Sequence, residues 1–348
     1  MKDVEIRKSG RAGRITLTRP KVLNALSPAM SLEIEAALDG WEHEGAVDVV
    51  VIDAEGERAF CAGGDIADIY HHGVADDEEF ARAFWRQEYR MNAKIARYPK
   101  PVVAFMQGFT MGGGVGVGCH AAYRVVGRST QIAMPEASIG LIPDVGGTLL
   151  LAHSPGRLGE YLGLTGARMG AADAIYAGFA DMFIPEEEWP GLISGLEASG
   201  NPASLSAAVG DAGDAPLAAE AAEIDRIFSG HALRDIVRAL DGADTEACQK
   251  ARDAVQRNSP LSMACTLELV RRARGFNDIE AALAQEYRFT HRVQAGGDLL
   301  EGVLAQIIDK DRNPKWMHKI ADGVPAAAVA HMLAPLGDLE WSMKEEFA

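Results

Sequence analysis

What this 348-residue chain lacks narrows its function before any motif is read. It holds no run of about 18 or more apolar residues, so no segment reads as a membrane-spanning helix. Basic residues are outnumbered, 34 against 50 acidic, and the net charge is −16. A nucleic-acid binder needs a basic face for the phosphates, and an anionic membrane surface attracts the same kind of face. Neither nucleic acid nor a membrane is expected as a partner. A small phosphorylated ligand stays open, because a few local cations suffice to hold one. Cysteine is scarce: Cys61, Cys119, Cys248 and Cys265 form no CxxC pair and no metal-ligand spacing. They read as buried thiols in a reducing compartment. The start, "MKDVEIRKSG", has neither an apolar signal core nor Arg/Ser-rich transit character, so a cytoplasmic location is expected. Phosphate-loop signatures are missing too. "GGGVG" lacks the Lys-Ser/Thr ending of a P-loop, and no strand leads into GxGxxG with a distant acid.

What is present is ordinary in bulk, with 48% hydrophobic and 24% charged residues. That composition can bury a sizeable core, and the length suits two units. "VEIRKSGRAGRITLTRP" alternates like a hairpin turning at "SGRAG". "LSPAMSLEIEAALDGWEHE" reads as a helix with Ser27 as N-cap, Pro28 at its first position, and a stripe of Leu32, Ile34, Ala37, Leu38 and Trp41. "VDVVVIDA" and "PVVAFMQG" are buried strands. "ERAFCAGGDIADIY" and "TMGGGVGVGCHAAYRVV" are each a glycine turn opening into a helix, and a longer helix through "FARAFWRQEYRMNAKIARYP" stops at Pro99. Repeated strand, glycine turn and helix units make the first half α/β, with ligands expected at the turns. Beyond about residue 150 the texture is mainly helical. "EASGNPASLSAAVGDAGDAPLAAE" looks like a mobile connection, and "LSMACTLELVRRAR", "DIEAALAQEYRFTHRVQ" and "LLEGVLAQII" are further helices.

Two glycine turns carry the first chemical signal. In "FCAGGD", residues 60–65, Gly63 and Gly64 let the backbone turn tightly and expose amides; alone, this is a plain turn with Asp65 as helix N-cap. In "GFTMGGGVGVG", residues 108–118, Gly112, Gly113 and Gly114 sit where a helix starts, so orphan amides and the positive dipole end face outward. Helix-interior glycine costs about 1 kcal/mol against alanine, so Gly116 and Gly118 suggest a close approach by a ligand or another backbone. Two such turns can build a pair of N–H donors converging on one oxygen, an oxyanion hole. The second signal is "MPEASIGLIPDVGG", residues 134–147, where Glu136 and Asp144 stand among apolar residues, as in a pocket wall.

"RPKVLNALS", "AFCAGGDI", "KPVVAFMQGFTMGGGVG" and "MPEASIGLIPDVGG", in this order and spacing, resemble the crotonase (enoyl-CoA hydratase/isomerase) superfamily over roughly residues 5–190. The resemblance implies a spiral of ββα units in residues 1–190 that holds an acyl-CoA thioester. A mainly α-helical region, 191–348, would cover the active site. The carbonyl would sit between the amides of Gly64 and Gly113. A hydratase of this kind carries a glutamate in "GGGxE" and a second in the "PE" motif. Here the first slot is Gly116 and only Glu136 remains, while Asp144 in "PDVGG" and Glu88 in "RQEYRMN" are added acids. That combination is similar to the thioesterase branch of the superfamily, the 3-hydroxyisobutyryl-CoA hydrolases. "SPLSM", "QEYR" and "IIDKDRNPKW" at 307–316 also match that branch.

Read this way, Gly64 and Gly113 stabilise the oxyanion, and Glu136 attacks directly or deprotonates a water. Asp144 accepts from a substrate 3-hydroxyl. Glu88 orients the acyl group or Glu136, and Ala62 and Asp65 flank the bound thioester. Locally, each acid has a plainer reading: Glu88 as a solvated helix acid near Arg86 and Arg90, Glu136 as a helix-start acid, Asp144 as an N-cap. No metal and no separate cofactor is expected, CoA being part of the acyl-CoA substrate. A homo-oligomer is compatible with the chain. An enoyl-CoA hydratase or isomerase working with Glu136 alone, or a non-catalytic acyl-CoA binder, are the alternatives. His71, His72, His120 and His153 read as surface or core histidines, and Arg82, Arg86 and Arg90 as a solvated stripe. Arg288, Arg292 and Lys310 are open candidates for the nucleotide.

Overall fold

The computed structural model describes residues 2–320 and 323–343; the end of the expected C-terminal region, 344–348, lies outside the described residues. The chain divides into two compact units, each assembled from separate segments. One is Met1–Gly64, Gln87–Ala133 and Arg168–Pro216; the other is Asp65–Arg86, Met134–Ala167 and Leu217–Ala348.

The first unit holds the described strands: β1 (Val4–Ser9), β2 (Ala12–Leu17), β3 (Val49–Ala54), β4 (Ala59–Cys61), β5 (Val102–Met106), β6 (Phe109–Met111), β7 (Tyr123–Val126), β8 (Gln131–Ala133) and β9 (Met182–Phe183). The expected hairpin is β1–β2, antiparallel, with Ile6 opposite Ile15 and Gly10 at φ 55° in the turn. Every later pairing is parallel. The strands sort into a six-stranded sheet, β1-β2-β3-β5-β7-β9, and a three-stranded sheet, β4-β6-β8. From β3 on, the successive pairs β3/β4, β5/β6 and β7/β8 each send one strand to each sheet, which is the ββα spiral in its backbone form. Val49, Val50, Val51 and Ile52 are fully buried, as a parallel strand covered on both faces requires.

The helices of the first half are α1 (Pro28–Glu42), α2 (Ile66–Gly73), α3 (Glu78–Ala96) and α4 (Gly113–Gly118). Ser27 caps α1 by accepting from the Met30 amide, with Pro28 at the first position. The buried stripe of α1 runs Met30, Ile34, Leu38, Trp41. Leu32 is exposed instead: at i+2 from Met30 it falls off a face set by four-residue steps. After the triple glycine the helix is shorter than the sequence suggests. It ends at Gly118, and "YRVV" becomes β7, where β-branched and aromatic residues fit the sheet. The stretch expected to be mobile is anchored as well. Leu205, within a 3-10 turn Pro202–Ala208, is fully buried in a cluster with Phe105, Trp189 and Leu196, so one leucine outweighs its small polar neighbours.

The second unit is helical. It includes α2, α5 (Gly147–His153), α6 (Leu158–Thr165) and the later helices Pro260–Ala273 and Ile279–Thr290. Helix Leu299–Val303 winds on as a π-turn over Leu304–Ile308. Beyond Phe183 the described residues form helices and turns only, as the texture of the second half implies. Helices Leu233–Asp241 and Glu246–Arg257 were not legible beforehand. Among the described residues no helix is long and apolar enough to cross a membrane.

Candidate active site

In the first unit the two glycine turns meet. Gly63, at φ 119°, reverses the chain after β4, a backbone conformation natural only to glycine. The turn is pinned on the loop before α1: Leu26 donates to the Gly63 carbonyl at 2.8 Å, and Ala62 donates to the Leu23 carbonyl at 3.0 Å. Leu26 and Gly64 form an isolated parallel bridge. Gly112, at φ 49°, does the same service before α4, making Gly113 the first helical residue. Its N–H has no acceptor within the helix. A helix of six residues carries little macrodipole, so the amides rather than the dipole are the asset here. A Cβ placed on Gly113 would lie 2.6 Å from Glu88 Oε1 and 3.4 Å from the Gly64 nitrogen. One on Gly114 would lie 2.1 Å from the Cys61 carbonyl oxygen. Gly64, Gly113 and the carboxylate of Glu88 thus share one small space. Glu88 is buried, not the solvated helix acid of the plainer reading. One turn further along α3, Asn92 is fully buried too. Asp65 precedes α2 but its side chain makes no capping hydrogen bond.

In the second unit, Glu136 is the first residue of a 3-10 turn, Glu136–Ile139, and is 5% exposed. Its carbonyl accepts from Leu141 at 3.0 Å while Gly140, at φ 76°, ends the turn. Three neighbours fix this piece of backbone. Ser259 donates its amide to the Ala137 carbonyl at 2.9 Å. Gly140 packs on the Asp298 carbonyl, and Gly302 on that of Ile139, each too close for a side chain. Asp298 in turn accepts from Ser259 Oγ at 2.6 Å and from the Met317 amide at 2.8 Å. The "PKW" segment is tied in here, with Trp316 Nε1 donating to the Arg257 carbonyl at 2.9 Å.

Asp144, buried, is not an N-cap: α5 is capped by Gly146. It opens a tight turn in which the Gly147 amide donates to the Asp144 carbonyl at 2.7 Å. Val145 at φ 56° and Gly146 at φ 78° both lie on the left-handed side, as in a type I′ turn. For a β-branched residue that conformation is strained by about 1–3 kcal/mol. Glu286, fully buried on helix Ile279–Thr290, accepts from the Gly146 amide at 2.8 Å, the Thr148 amide at 3.0 Å and the Thr148 hydroxyl. Burial, and then the nearby charge of Asp144, push its carboxyl up to about 8 against the pull of those donors. Ser259 and Glu286 stand in the "SPLSM" and "QEYR" motifs but were not read as site residues, and Asp298 lies outside the motifs. The signal for Glu286 existed: it stands on the apolar stripe Ile279, Leu283, Glu286, Thr290.

Most of the remaining candidates have protein partners. Arg82 donates to the His291 carbonyl at 3.0 Å, Arg86 to the Tyr287 hydroxyl at 2.9 Å, and Arg90 pairs with Glu35 at 3.0 Å. The stripe is therefore knitted into the fold rather than solvated. Arg288 pairs with Glu340, and Arg292 donates to the Ala334 carbonyl at 2.7 Å, so both hold the C-terminal segment. Lys310 is exposed. His72 pairs with Asp77 at 2.8 Å and stacks on Phe80, and His153 contacts the Phe276 carbonyl. The four cysteines are free and buried.

Residues 12–333 match the model of the enoyl-CoA hydratase/isomerase family. The chain belongs to that family. Among other members, the Gallus gallus protein named 3-hydroxyisobutyryl-CoA hydrolase, mitochondrial, is 36% identical over 347 residues, covering 97% of this chain and 90% of its own. A crystal structure from Rhodobacter sphaeroides, described as an enoyl-CoA hydratase, is 54% identical with a TM-score of 0.94, covering 98% of this chain and all of its own. Another, from Mycobacterium thermoresistibile and described as a carnitinyl-CoA dehydratase, is 42% identical with the same TM-score and covers 99% of this chain. The crotonase-type α/β fold expected from the motifs is thus the fold this family member has. The names of its relatives divide between hydrolase and hydratase.

Proposed function

We propose that this family member hydrolyses the thioester of 3-hydroxyisobutyryl-CoA, or of a similar short 3-hydroxyacyl-CoA, to the hydroxy acid and CoA in valine breakdown. One observation carries the choice between the two sets of names. A pair of glutamates is needed to add water across a double bond in the hydratase pattern, and this chain has Glu136 but Gly116 in the other slot. The near-full-length likeness to proteins named 3-hydroxyisobutyryl-CoA hydrolase supports the same side.

The amides of Gly64 and Gly113 hold the thioester oxygen as it becomes an oxyanion. Glu136 is the reacting acid. Acting as base, it takes a proton from water as the water oxygen bonds to the carbonyl carbon, and the C–S bond then breaks with the proton passing to the CoA sulfur. Acting as nucleophile, it forms a mixed anhydride with loss of CoA thiolate, which water then opens. Single turnover in 18O-water separates the routes, since only the anhydride opened at the enzyme carbonyl leaves label in Glu136. Asp144 accepts from the 3-hydroxyl, and Glu88, Ala62 and Asp65 line the acyl group. CoA enters and leaves as part of the substrate, with no metal in the step.

The test follows free-thiol release from a panel of acyl-CoAs beside loss of crotonyl-CoA absorbance. Thiol release without hydration is expected; hydration without thiol release overturns the hydrolase reading in favour of the hydratase, and neither activity favours a binder. Glu136→Gln is expected to abolish turnover while CoA still binds. Asp144→Ala is expected to hurt 3-hydroxyacyl substrates far more than plain ones, and equal losses would remove it from that role.

A further inference from the structure

Asp144 sits at the start of a turn that its own sequence disfavours. The φ of 56° at buried Val145 is a conformation valine avoids, and glycine at 146 relieves only the second of the two left-handed positions. Such strain persists only where the surroundings over-determine the backbone. Here the surroundings are Glu286. Its two oxygens take the Gly146 amide, the Thr148 amide and the Thr148 hydroxyl, so a single carboxyl grips the turn on both sides of Gly147. No other shape of acceptor fits as well. An amide in its place would offer one acceptor oxygen and turn an NH2 with no usable lone pair towards an N–H donor, whereas both oxygens of the carboxyl keep a lone pair even when one of them carries its proton. A turn released from that grip relaxes at Val145, and the residue re-aimed first is the one before it.

We propose that Glu286 is the positioning residue for Asp144, and that through it the helix Ile279–Thr290 sets the preference for a hydroxylated acyl chain. This rests on the reading of Asp144 as the acceptor for the 3-hydroxyl. Glu286 touches no substrate. Its effect is expected in how well the hydroxyl is recognised, and so in KM for the hydroxylated thioester more than in kcat.

The experiment compares kcat/KM for 3-hydroxyisobutyryl-CoA and for isobutyryl-CoA, which lacks only the hydroxyl, and uses their ratio as selectivity. Full-length wild type, Asp144→Ala, Glu286→Gln, Thr148→Val and the Asp144→Ala/Glu286→Gln double variant are measured. Glu286→Gln is expected to lower selectivity about tenfold, the loss of one well-made buried hydrogen bond, mainly through KM of the hydroxylated substrate. Thr148→Val keeps the carboxyl and two of its three bonds, and is expected to lower selectivity in the same direction by less. It keeps the test alive if Glu286→Gln fails to fold. The double variant is expected to match Asp144→Ala alone. Equal losses on both substrates, unchanged selectivity in both Glu286→Gln and Thr148→Val, or a further loss in the double variant would each overturn the proposal. If Asp144→Ala collapses selectivity while the other two leave it intact, only the role of Glu286 falls. If Asp144→Ala leaves selectivity intact, the reading of Asp144 falls and this proposal with it.

Discussion

A methyl group is the smallest probe of the glycine at 113. Placed there, it would lie 2.6 Å from Glu88 Oε1 and 3.4 Å from the Gly64 nitrogen. The near contact is with the far end of a flexible side chain, which can swing away. The second is the telling one, because the methyl would occupy the space an oxyanion needs in order to reach the Gly64 amide. Gly113→Ala should therefore fold, with thermal unfolding close to wild type, yet lose about 100-fold in kcat/KM for thioester hydrolysis, the scale of one lost oxyanion donor. Activity within about threefold of wild type would mean the carbonyl does not sit there. These residues were legible because each stands in a short motif whose neighbours give it away: glycines in turns, acids among apolar residues. Glu286 was not, because what makes it matter is a set of donors 138 and 140 positions earlier in the chain. No local window contains both ends of that contact.

Between the motifs, elements hold one another. The turn bearing Glu136 is tied through the Ser259 amide to helix Pro260–Ala273, and through Asp298 to the segment that follows Pro314. Asp298 is 2% exposed and serves two donors at once. Asp298→Ala leaves the buried Ser259 hydroxyl without an acceptor, which costs about 1–3 kcal/mol, and unties the amide of exposed Met317, whereas Ser259→Ala removes one donor and leaves Asp298 with the other. Urea denaturation should therefore show Asp298→Ala as clearly the weaker of the two. Equal midpoints for wild type and Asp298→Ala would deny the linkage. The same scale explains which elements could be read in advance. The hairpin, α1 and the Val-rich strands announced themselves by period and caps. The three-residue strands β4, β6 and β8 carry too few residues for a period, and their pairing is decided by the spiral as a whole. Helix Leu233–Asp241 lay in the stretch with the weakest motif content.

Stability as a function of pH integrates over the whole molecule, and a buried carboxyl and a half-buried imidazole oppose one another in it. Glu286 is pushed up to about 8 from an ordinary 4.5 by burial and the charge of Asp144. Folded chains keep its proton where unfolded chains have lost it, so its contribution is complete below about 4.5 and is lost as the pH climbs to about 8. His291 runs the other way: burial, then the cations Arg82 and Arg292, press it down to about 4 from 6.5. Unfolded chains bind its proton first, so its contribution grows from about pH 4 to 6.5 and is then constant. The lowered acids Glu44, Glu186, Glu187, Glu223 and Glu246 act below 4.5, and the buried thiols of Cys61 and Cys119, pushed up to about 12, lie far above the window. Between pH 4.5 and 6.5 the two slopes therefore largely cancel, and from 6.5 to 8 Glu286 acts with little opposition. The expected curve of unfolding free energy is flat and then falling, with a slope of at most about 1.4 kcal/mol per pH unit for one proton. Glu286→Gln should remove the fall above 6.5 while leaving the rise due to His291, so that the variant gains on its own acid-side value as the wild type loses on its. A wild-type curve that keeps rising from pH 6.5 to 8 would show that the carboxyl at 286 is ionised in the folded chain across that range, and a fall that survives in Glu286→Gln would assign the fall to another group.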